Sequence, residues 1–213
     1  MQGINRFLAW TALVLVGLVG VLRATALRWW QVPTGDPELE ASIAPTLHGG
    51  DWVLLWRLTR PALGDLVVCP DPADPTNVVI GRIVAEANDR VLIQGPDVEV
   101  NGHRFDIEYN CTERTFKVTD PDSLKEVELY CDMENVGDTL HMRGYGAAKK
   151  DAAKFAKQIS SGNAFLLSDN RMHPFDSRHF GTVDRRTCTE KVFFRLVSKD
   201  GFFDAANRLS SIR

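Results

Sequence analysis

One serine of the chain stands where it could act as a nucleophile. Ser42 opens the stretch SIAPTL, directly before a proline–threonine turn and the strand-like run DWVLLWRL. A serine hydroxyl attacks a carbonyl efficiently only when a neighbouring group accepts its proton. Ser42 is therefore a candidate catalytic residue whose proton acceptor has to come from elsewhere in the chain.

A box of acidic and basic side chains lies near the other end of the chain. The stretch SDNRMHPFDSRHFG contains two runs of polar residues at close spacing, Asp169, Asn170 and Arg171 and then Asp176, Ser177 and Arg178. Aspartate and arginine pair through bidentate, charge-assisted hydrogen bonds, which can lock a loop in one conformation. Such pairs are suited to holding a loop beside the nucleophile.

The elements that must position these residues are mostly β-strands. Short apolar runs such as GDLVVCP, NVVIGRIVAE, RVLIQ, NAFLL and KVFFRLV are separated by Gly, Pro, Asp and Asn clusters. This pattern is typical of antiparallel β structure, and the pair Asn101-Gly102 is a strong hairpin turn. Residues 103–161 are more polar. We interpret them as an inserted β subdomain that ends in a short helical or mobile segment, AAKKDAAKFAKQIS.

The N-terminal segment is suited to a membrane. Residues 7–22, FLAWTALVLVGLVGVL, carry no charge and are bounded by Arg6 and Arg23. At about 1.5 Å per residue, a helix of this length nearly spans a hydrocarbon core of about 30 Å. The sequence favours an uncleaved anchor over a cleaved signal peptide, for which residues 24–26, ATA, would be the cleavage site. Positive charge on both sides of the segment leaves its orientation open.

Composition excludes some kinds of partner and site. The 213 residues carry a formal net charge of −3 without a dense Lys/Arg stripe, which argues against nucleic acid as a partner. No Cys/His spacing typical of zinc occurs, so we expect neither a metal nor another cofactor. Cys111 and Cys131 flank a strand-like segment and are candidates for a disulfide in an oxidising compartment. Cys69 is interpreted as a small buried hydrophobe, and Cys188 is open to either interpretation.

Two sequence boxes, SIAPTL with Ser42 and SDNRMHPFDSRHFG near the other end, enclose most of the predicted strands. In this order along the chain, they resemble the bacterial signal peptidase I family. Its members are membrane-anchored serine endopeptidases that remove signal peptides from exported proteins. The first box is similar to Ser-Met-x-Pro-Thr-Leu, with Ser42 as the nucleophile, and the last to Gly-Asp-Asn-Arg followed by Asp-Ser-Arg. The resemblance covers the anchor and about residues 36–102 and 162–197. It implies a mainly β fold, with an antiparallel core and an inserted cap subdomain, and a structural role for the last box.

The chain departs from that family where the proton acceptor is expected. The family uses a serine–lysine dyad, and the position of the lysine is occupied by Gly81, which has no side chain. Glu40 stands two positions before Ser42, in place of a small or hydroxyl residue, and Pro174 replaces a serine-like position in the last box. If the segment is a strand, residues two positions apart point to the same side, so a Glu40 carboxyl with a pKa raised by burial is the first substitute base that we consider. Other groups considered are His48, Glu86, His173, Lys149 and Lys154.

The resemblance also implies a function and a location. The chain would act on the signal peptides of exported preproteins at the cytoplasmic (inner) membrane, with one span and its main domain outside the cytoplasm. The alternative is a non-catalytic homologue that binds exported peptides, an active signal peptidase or another secretion component. Membrane lipid is the other expected partner. The expected division is an anchor (1–30), a core β domain in two parts (31–102 and 162–198), a cap subdomain (103–161) and a tail (199–213), which we interpret as a frayed helix.

Overall fold

The computed structural model describes residues 2–146 and 154–212, which form two helices and fifteen strands. The helices are α1 (Gln2–Thr25) and α2 (Pro37–Ile43). The strands are β1 (Leu27–Gln31), β2 (Trp52–Trp56), β3 (Leu66–Pro70), β4 (Val78–Ala85), β5 (Arg90–Gln94), β6 (Asp97–Val100), β7 (His103–Arg104), β8 (Asp106–Thr119), β9 (Glu126–Val136), β10 (Thr139–Tyr145), β11 (Lys154–Gln158), β12 (Asn163–Leu167), β13 (Val183–Asp184), β14 (Glu190–Val197) and β15 (Ser210–Ser211). The expected mainly antiparallel β fold with an N-terminal apolar helix is confirmed.

The largest sheet holds the core of the protein. Its strands pair antiparallel in the order β1-β2-β14-β3-β4-β12-β13, and β15 pairs with β14. Strand β4 lies inside this sheet and is buried on both faces. Its Ile80 packs with Ile43 on one face, while Val79 and Ile83 pack with Leu166 on the other. Alternate side chains of a strand point to opposite faces, so β4 separates two apolar clusters.

Two smaller sheets lie beside the core sheet. One is three-stranded, in the order β10-β9-β8, and the other is four-stranded, in the order β11-β5-β6-β7. Asn101 and Gly102 have φ values of 55° and 84° and form the tight turn between β6 and β7. The four-stranded sheet takes β5 and β6 from before residue 103 and β7 and β11 from residues 103–161. The subdomain boundary at residue 103 therefore remains a prediction.

Helix α1 has the properties of a membrane-spanning segment. Its stretch Arg6–Arg23 has a mean hydropathy of 1.7, and none of it is buried against the rest of the protein. The chain leaves α1 at Thr25 and enters β1 two residues later, so Trp29 and Trp30 lie close to the end of the helix. Indole side chains are favoured at that level of a membrane.

Two local expectations need correction. Residues 154–158 form a strand and not a helical or mobile segment, because Phe155 packs on the core beside Phe165 and the backbone pairs with β5. The preceding residues 147–153, including Lys149, lie outside the described part of the chain. The tail was interpreted as a frayed helix, but Ser210–Ser211 pair with β14 and Ile212 is buried in the core.

Candidate functional site

Ser42 lies in the last turn of the short helix α2. The helix begins at an Asp-Pro pair, in which the Asp36 carboxylate accepts hydrogen bonds from the backbone N–H groups of Glu38 and Leu39 at 3.1 and 3.2 Å. Aspartate at the N-cap with proline at the first helical position is a typical start of a helix. The segment is thus a helix and not the expected strand, and the Asp-Pro pair is the signal of a helix in the sequence.

The hydroxyl of Ser42 is buried and already has a hydrogen-bond partner. Ser42 is 0 % exposed, and its Oγ donates to the carbonyl of Leu39 at 2.8 Å. This bond is the local kind that serine forms with the preceding turn of its own helix. Among the residues that the structure describes, no carboxylate, imidazole or amine is hydrogen-bonded to this hydroxyl.

Glu40 is not placed to act on Ser42. Residues two positions apart share a face in a strand. In a helix, with 3.6 residues per turn, they point in very different directions. The Glu40 carboxylate accepts a hydrogen bond from the Gly35 N–H at 2.8 Å and lies against Gly49. The expectation that Glu40 and Ser42 point to the same side is therefore wrong.

Gly81 lies on β4 with its missing side chain directed away from the cluster that contains Ile43. A Cβ at this position would meet the Leu166 Cβ at 3.0 Å and the Leu167 carbonyl at 3.3 Å. Its neighbours Ile80 and Arg82 point to the opposite face of the sheet. A side chain at residue 81 would thus enter the apolar cluster that includes Leu166.

The other candidate bases have different surroundings. Glu86 forms an ion pair with Arg185 at 2.5 Å, and Lys154 is exposed on strand β11. The backbone N–H of His173 donates to the Asn170 side chain at 3.2 Å. His48 lines an open cleft beside α2, and burial lowers the pKa of its imidazole more than nearby Asp51 raises it.

Asp169 of the last box holds together distant parts of the chain. Its carboxylate accepts hydrogen bonds from Arg82 Nε and Nη2 at 2.9 and 2.8 Å and from the Thr46 hydroxyl at 2.6 Å. Burial alone would raise the pKa of Asp169, but the charge and hydrogen bonds of Arg82 hold it below its usual value. Arg82, which follows Gly81, thus joins β4 to the last box. Through Asp169, it is also connected to Thr46 in the segment after Ser42.

Asn170 connects the same box directly to α2. Its backbone N–H donates to the Ser42 carbonyl at 3.0 Å, and its Nδ2 donates to the Ala41 carbonyl at 2.8 Å. The last carbonyls of a helix have no partner within the helix, so this side chain satisfies one of them from outside. The box therefore fixes the backbone on both sides of the candidate nucleophile.

Arg171 joins the box to the inserted strands. Its guanidinium pairs with the Glu134 carboxylate of β9, and both side chains are 1 % exposed. Burial alone would raise the pKa of Glu134, but the charge and hydrogen bonds of Arg171, together with His141, lower it to about 2. Arg143 and Asp132 form a second bidentate pair nearby, with distances of 2.8 and 2.6 Å.

A buried histidine completes this network. The Nε2 atom of His141 lies 3.4 Å from the Glu134 carboxylate and 3.8 Å from the Asp169 carboxylate. Burial, followed by the charge of Arg82, lowers the pKa of His141. The network thus contains three residues that were not expected at the site from the sequence: Arg82, Glu134 and His141. Their only signal was a charged or polar residue at an inward position of a strand.

The second half of the box, residues 176–178, forms hydrogen bonds with residues close to it in sequence. The Asp176 carboxylate accepts from Arg178 Nε and Nη2 at 2.9 and 2.7 Å and from the Ser168 N–H at 3.1 Å. Ser177 Oγ accepts from the Leu166 N–H at 2.9 Å. The expected Asp–Arg pairs thus comprise one local pair, Asp176–Arg178. Asp169 and Arg171 have partners elsewhere in the chain.

All four cysteines are paired in the structure. Cys111 bonds to Cys131 between β8 and β9, the pair that was a candidate from the sequence. Cys69 bonds to Cys188, 119 residues further along the chain, although Cys69 was interpreted as a small hydrophobe. In the described ranges, no three His, Cys, Asp or Glu side chains are grouped so that they could hold a metal ion.

Two comparisons with known proteins agree with this arrangement. A family model described as signal peptidase, peptidase S26, matches residues 5–197. A signal peptidase I of Aquifex aeolicus (strain VF5) is 28 % identical over 189 residues, which cover 72 % of this chain and 71 % of that protein. The matched range includes helix α1, Ser42, Gly81 and the whole last box.

Proposed function

The chain belongs to the signal peptidase family S26, and from this membership we propose that it is a membrane-anchored protein that binds the signal peptides of exported preproteins without cleaving them by serine–lysine chemistry. One observation carries the second half of the proposal. The site has a helix-held serine and its bracing box, but Gly81 stands at the position of the base.

The loss of the base decides between binding and turnover. Removal of the base from a serine protease costs on the order of 10⁶ in turnover, about as much as removal of the whole catalytic set. The Ser42 hydroxyl is also buried and bonded to the Leu39 carbonyl, so it is not free to attack a peptide in this conformation. A protein that keeps the fold of the family without a base and without a free serine hydroxyl is better suited to binding a peptide than to cleaving it.

A second candidate function is hydrolysis by Ser42 with a different proton acceptor. The contacts of Asn170 favour it, because they hold the backbone of Ala41 and Ser42 through two hydrogen bonds that a mere binding surface does not require. In this function the acceptor reaches Ser42 only after a rearrangement of α2 or of the inserted strands that cover it.

The proposed location is the cytoplasmic membrane, with the folded part on the extracytoplasmic side. The apolar helix α1, retained as a single span, supports membrane anchoring, and two disulfides support an oxidising compartment. Membrane lipid and secretion components, including an active signal peptidase, are the proposed partners beside the peptide. We also assign residues 31–102 and 162–198 to the core and residues 103–161 to the cap.

The test is cleavage and photo-crosslinking of a labelled preprotein by the full chain in detergent micelles. We expect crosslinks from the signal peptide to the parent and to Ser42→Ala alike, and no cleaved product from either. The control preprotein carries charged residues in place of the small side chains that precede the cleavage site of a signal peptide, and it should not crosslink. Cleavage that disappears in Ser42→Ala would establish the second candidate instead. Equal labelling of both preproteins would contradict peptide recognition.

A further inference from the structure

The hairpin formed by β8 and β9 is divided into two parts by a bulge. Asn110 pairs with Asp132 and Thr115 with Tyr130, so four residues of β8, 111–114, face a single residue of β9. The Cys111–Cys131 disulfide crosses the hairpin at this point. We call residues 106–110 and 132–136 the root of the hairpin, and residues 115–130 its tip. A bulge bends a strand and interrupts its ladder, so the tip and the root are separate segments joined at the disulfide.

The root is fixed to the rest of the molecule. Glu134 is paired with Arg171 inside the protein, and the Asp132 carboxylate is paired with Arg143. Strand β10 continues this attachment, because the Gly144 N–H donates to the Asp169 carbonyl and the Gly144 carbonyl accepts from the Arg171 N–H, both at 2.8 Å. Movement of the root would break these buried ion pairs.

The tip lies on the helix that carries Ser42 and is held there by apolar contacts. Ala41 and Ala44 pack with Val118 and Leu129 of the tip, and Phe116 and Val127 border the same cluster. A Cβ at Gly144 would lie 2.6 Å from the Phe116 Cζ and 3.3 Å from the Pro45 Cδ, so the Phe116 ring packs directly on Gly144, and Pro45 lies close to the same glycine.

The contact between the tip and α2 is incomplete. An open cleft runs along it, with Ala41, Ala44 and Val118 among its apolar lining residues and charged side chains at its border: Glu40, Lys117, Glu126 and Lys199. Lys117 and Glu126 pair with each other at 2.7 Å and are more than half exposed. The tip therefore has no buried ion pair of its own with α2 among the described residues, in contrast to the root.

We propose that the tip of the β8–β9 hairpin is a lid, which bends at the bulge beside the Cys111–Cys131 disulfide and must lift before a peptide can reach Ser42. This proposal depends on the proposed function, since the lid would control access to the same site. An extended peptide with small side chains would replace Phe116 and Val118 on the surface formed by Ala41 and Ala44. In the closed position, Ser42 is completely buried.

The experiment measures the accessibility of residue 42. All four native cysteines are in disulfides, so Ser42→Cys introduces the only free thiol of the chain. We expect slow labelling of this variant by N-ethylmaleimide in detergent micelles without a reductant. Adding Phe116→Ala and Val118→Ser should accelerate labelling by about tenfold or more, because the lid loses its apolar contacts. Gly144→Ala should act in the same direction, since its methyl group displaces the Phe116 ring without a change in the hairpin.

Two controls separate lid opening from general loosening. Tyr109→Ala removes an exposed aromatic side chain from the root and should leave the labelling rate unchanged. Val91→Ala destabilises a core cluster away from the lid, and it reports the labelling that comes from global unfolding. Rapid labelling of Ser42→Cys alone, or lid variants that label no faster than Val91→Ala at equal stability, would overturn the proposal.

The same variants separate this proposal from the proposed function. Accelerated labelling without signal-peptide crosslinks in any variant would leave the lid in place and refute peptide binding. Crosslinks of equal yield in the parent and the lid variants, with labelling rates that do not differ, would refute the lid and leave peptide binding in place.

Discussion

At the scale of single residues, Ser42 shows how surroundings decide the chemistry of a side chain. Its backbone is held by Asn170 on one side, while its hydroxyl is held by Leu39 within the helix. In this conformation the hydroxyl acts as a local hydrogen-bond donor to its own helix. It would become a nucleophile only if the hydroxyl left its own helix and met a proton acceptor. A lysine at residue 81, the position that we assign to the base, is the obvious attempt to supply one.

We expect Gly81→Lys to destabilise the protein and not to restore cleavage. A Cβ at residue 81 would already lie 3.0 Å from the Leu166 Cβ, and the ammonium group would enter a dry, apolar cluster. Overpacking costs about 1–3 kcal/mol, and an unpaired buried charge adds about 3–5 kcal/mol. Urea unfolding of the full chain in micelles measures this loss, and Gly81→Ala isolates the packing part. A lysine variant that is as stable as the parent and cleaves a preprotein would contradict this prediction.

At the scale of elements, the strands could be derived from the sequence and the position of Ser42 could not. Apolar runs between turn residues indicated β2 to β6, β12 and β14, because hydrophobic periodicity depends on local sequence alone. The segment around Ser42 resembled a strand edge, although Asp36 and Pro37 begin a helix there. The six box residues were also visible, but their partners Arg82 and Glu134 are 87 and 37 residues away in sequence. Pairing over such distances follows from topology, which a single sequence does not display.

The start of α2 offers a test at this scale. Asp36→Ala removes the side chain that accepts hydrogen bonds from two N–H groups at the beginning of the helix. Loss of an N-cap typically costs about 1 kcal/mol, and the change should also loosen the helix that carries Ser42. Hydrogen exchange of the α2 amides, together with urea unfolding, measures both effects. Asp36→Asn retains an oxygen acceptor and should behave like the parent, and an equal loss in both variants would exclude the capping explanation.

The two disulfides should contribute unequally to stability. The Cys69–Cys188 bond closes a loop with a sequence separation of 119, and the Cys111–Cys131 bond one of only 20. The chain-entropy argument assigns about 5 kcal/mol to the first and about 3 kcal/mol to the second. Replacing each pair by alanine, and comparing urea midpoints, tests this order. A larger loss from the Cys111–Cys131 pair would show that the bulge of the hairpin depends on its disulfide for more than loop closure.

At the scale of the whole molecule, a buried ionic network joins the inserted strands to the core. Three arginines and three carboxylates take part in its closest pairs: Arg82 with Asp169, Arg143 with Asp132 and Arg171 with Glu134. Removing one partner of such a pair leaves an uncompensated buried charge, which costs more than the pair contributes. Strands β9 and β10 are therefore coupled to the box beside Ser42, and the stability of both depends on the protonation of the same groups.

This network makes the folded state sensitive to acid. His141 is buried beside Arg82 and Glu134, and its pKa is lowered below 6.5 by burial and then by the Arg82 charge. As the pH falls through about 6.5, His141 binds a proton in the unfolded chain but not in the native state. The free energy of unfolding therefore decreases by up to about 1.4 kcal/mol per pH unit for each such group. His48, whose pKa is also lowered by burial, adds to the same slope.

Substitution of the histidine isolates its share of that slope. His141→Gln should flatten the decrease in unfolding free energy between pH 7 and 5.5, whereas His103→Gln, which removes an exposed histidine, should not. A further loss should begin near pH 4.5 and continue toward pH 2, because Glu134 has a native pKa of about 2 and must be protonated in the unfolded chain first. Urea unfolding across this range measures both parts. If His141→Gln keeps the full slope above pH 5.5, the acid sensitivity does not arise from the buried network that joins the cap to Ser42.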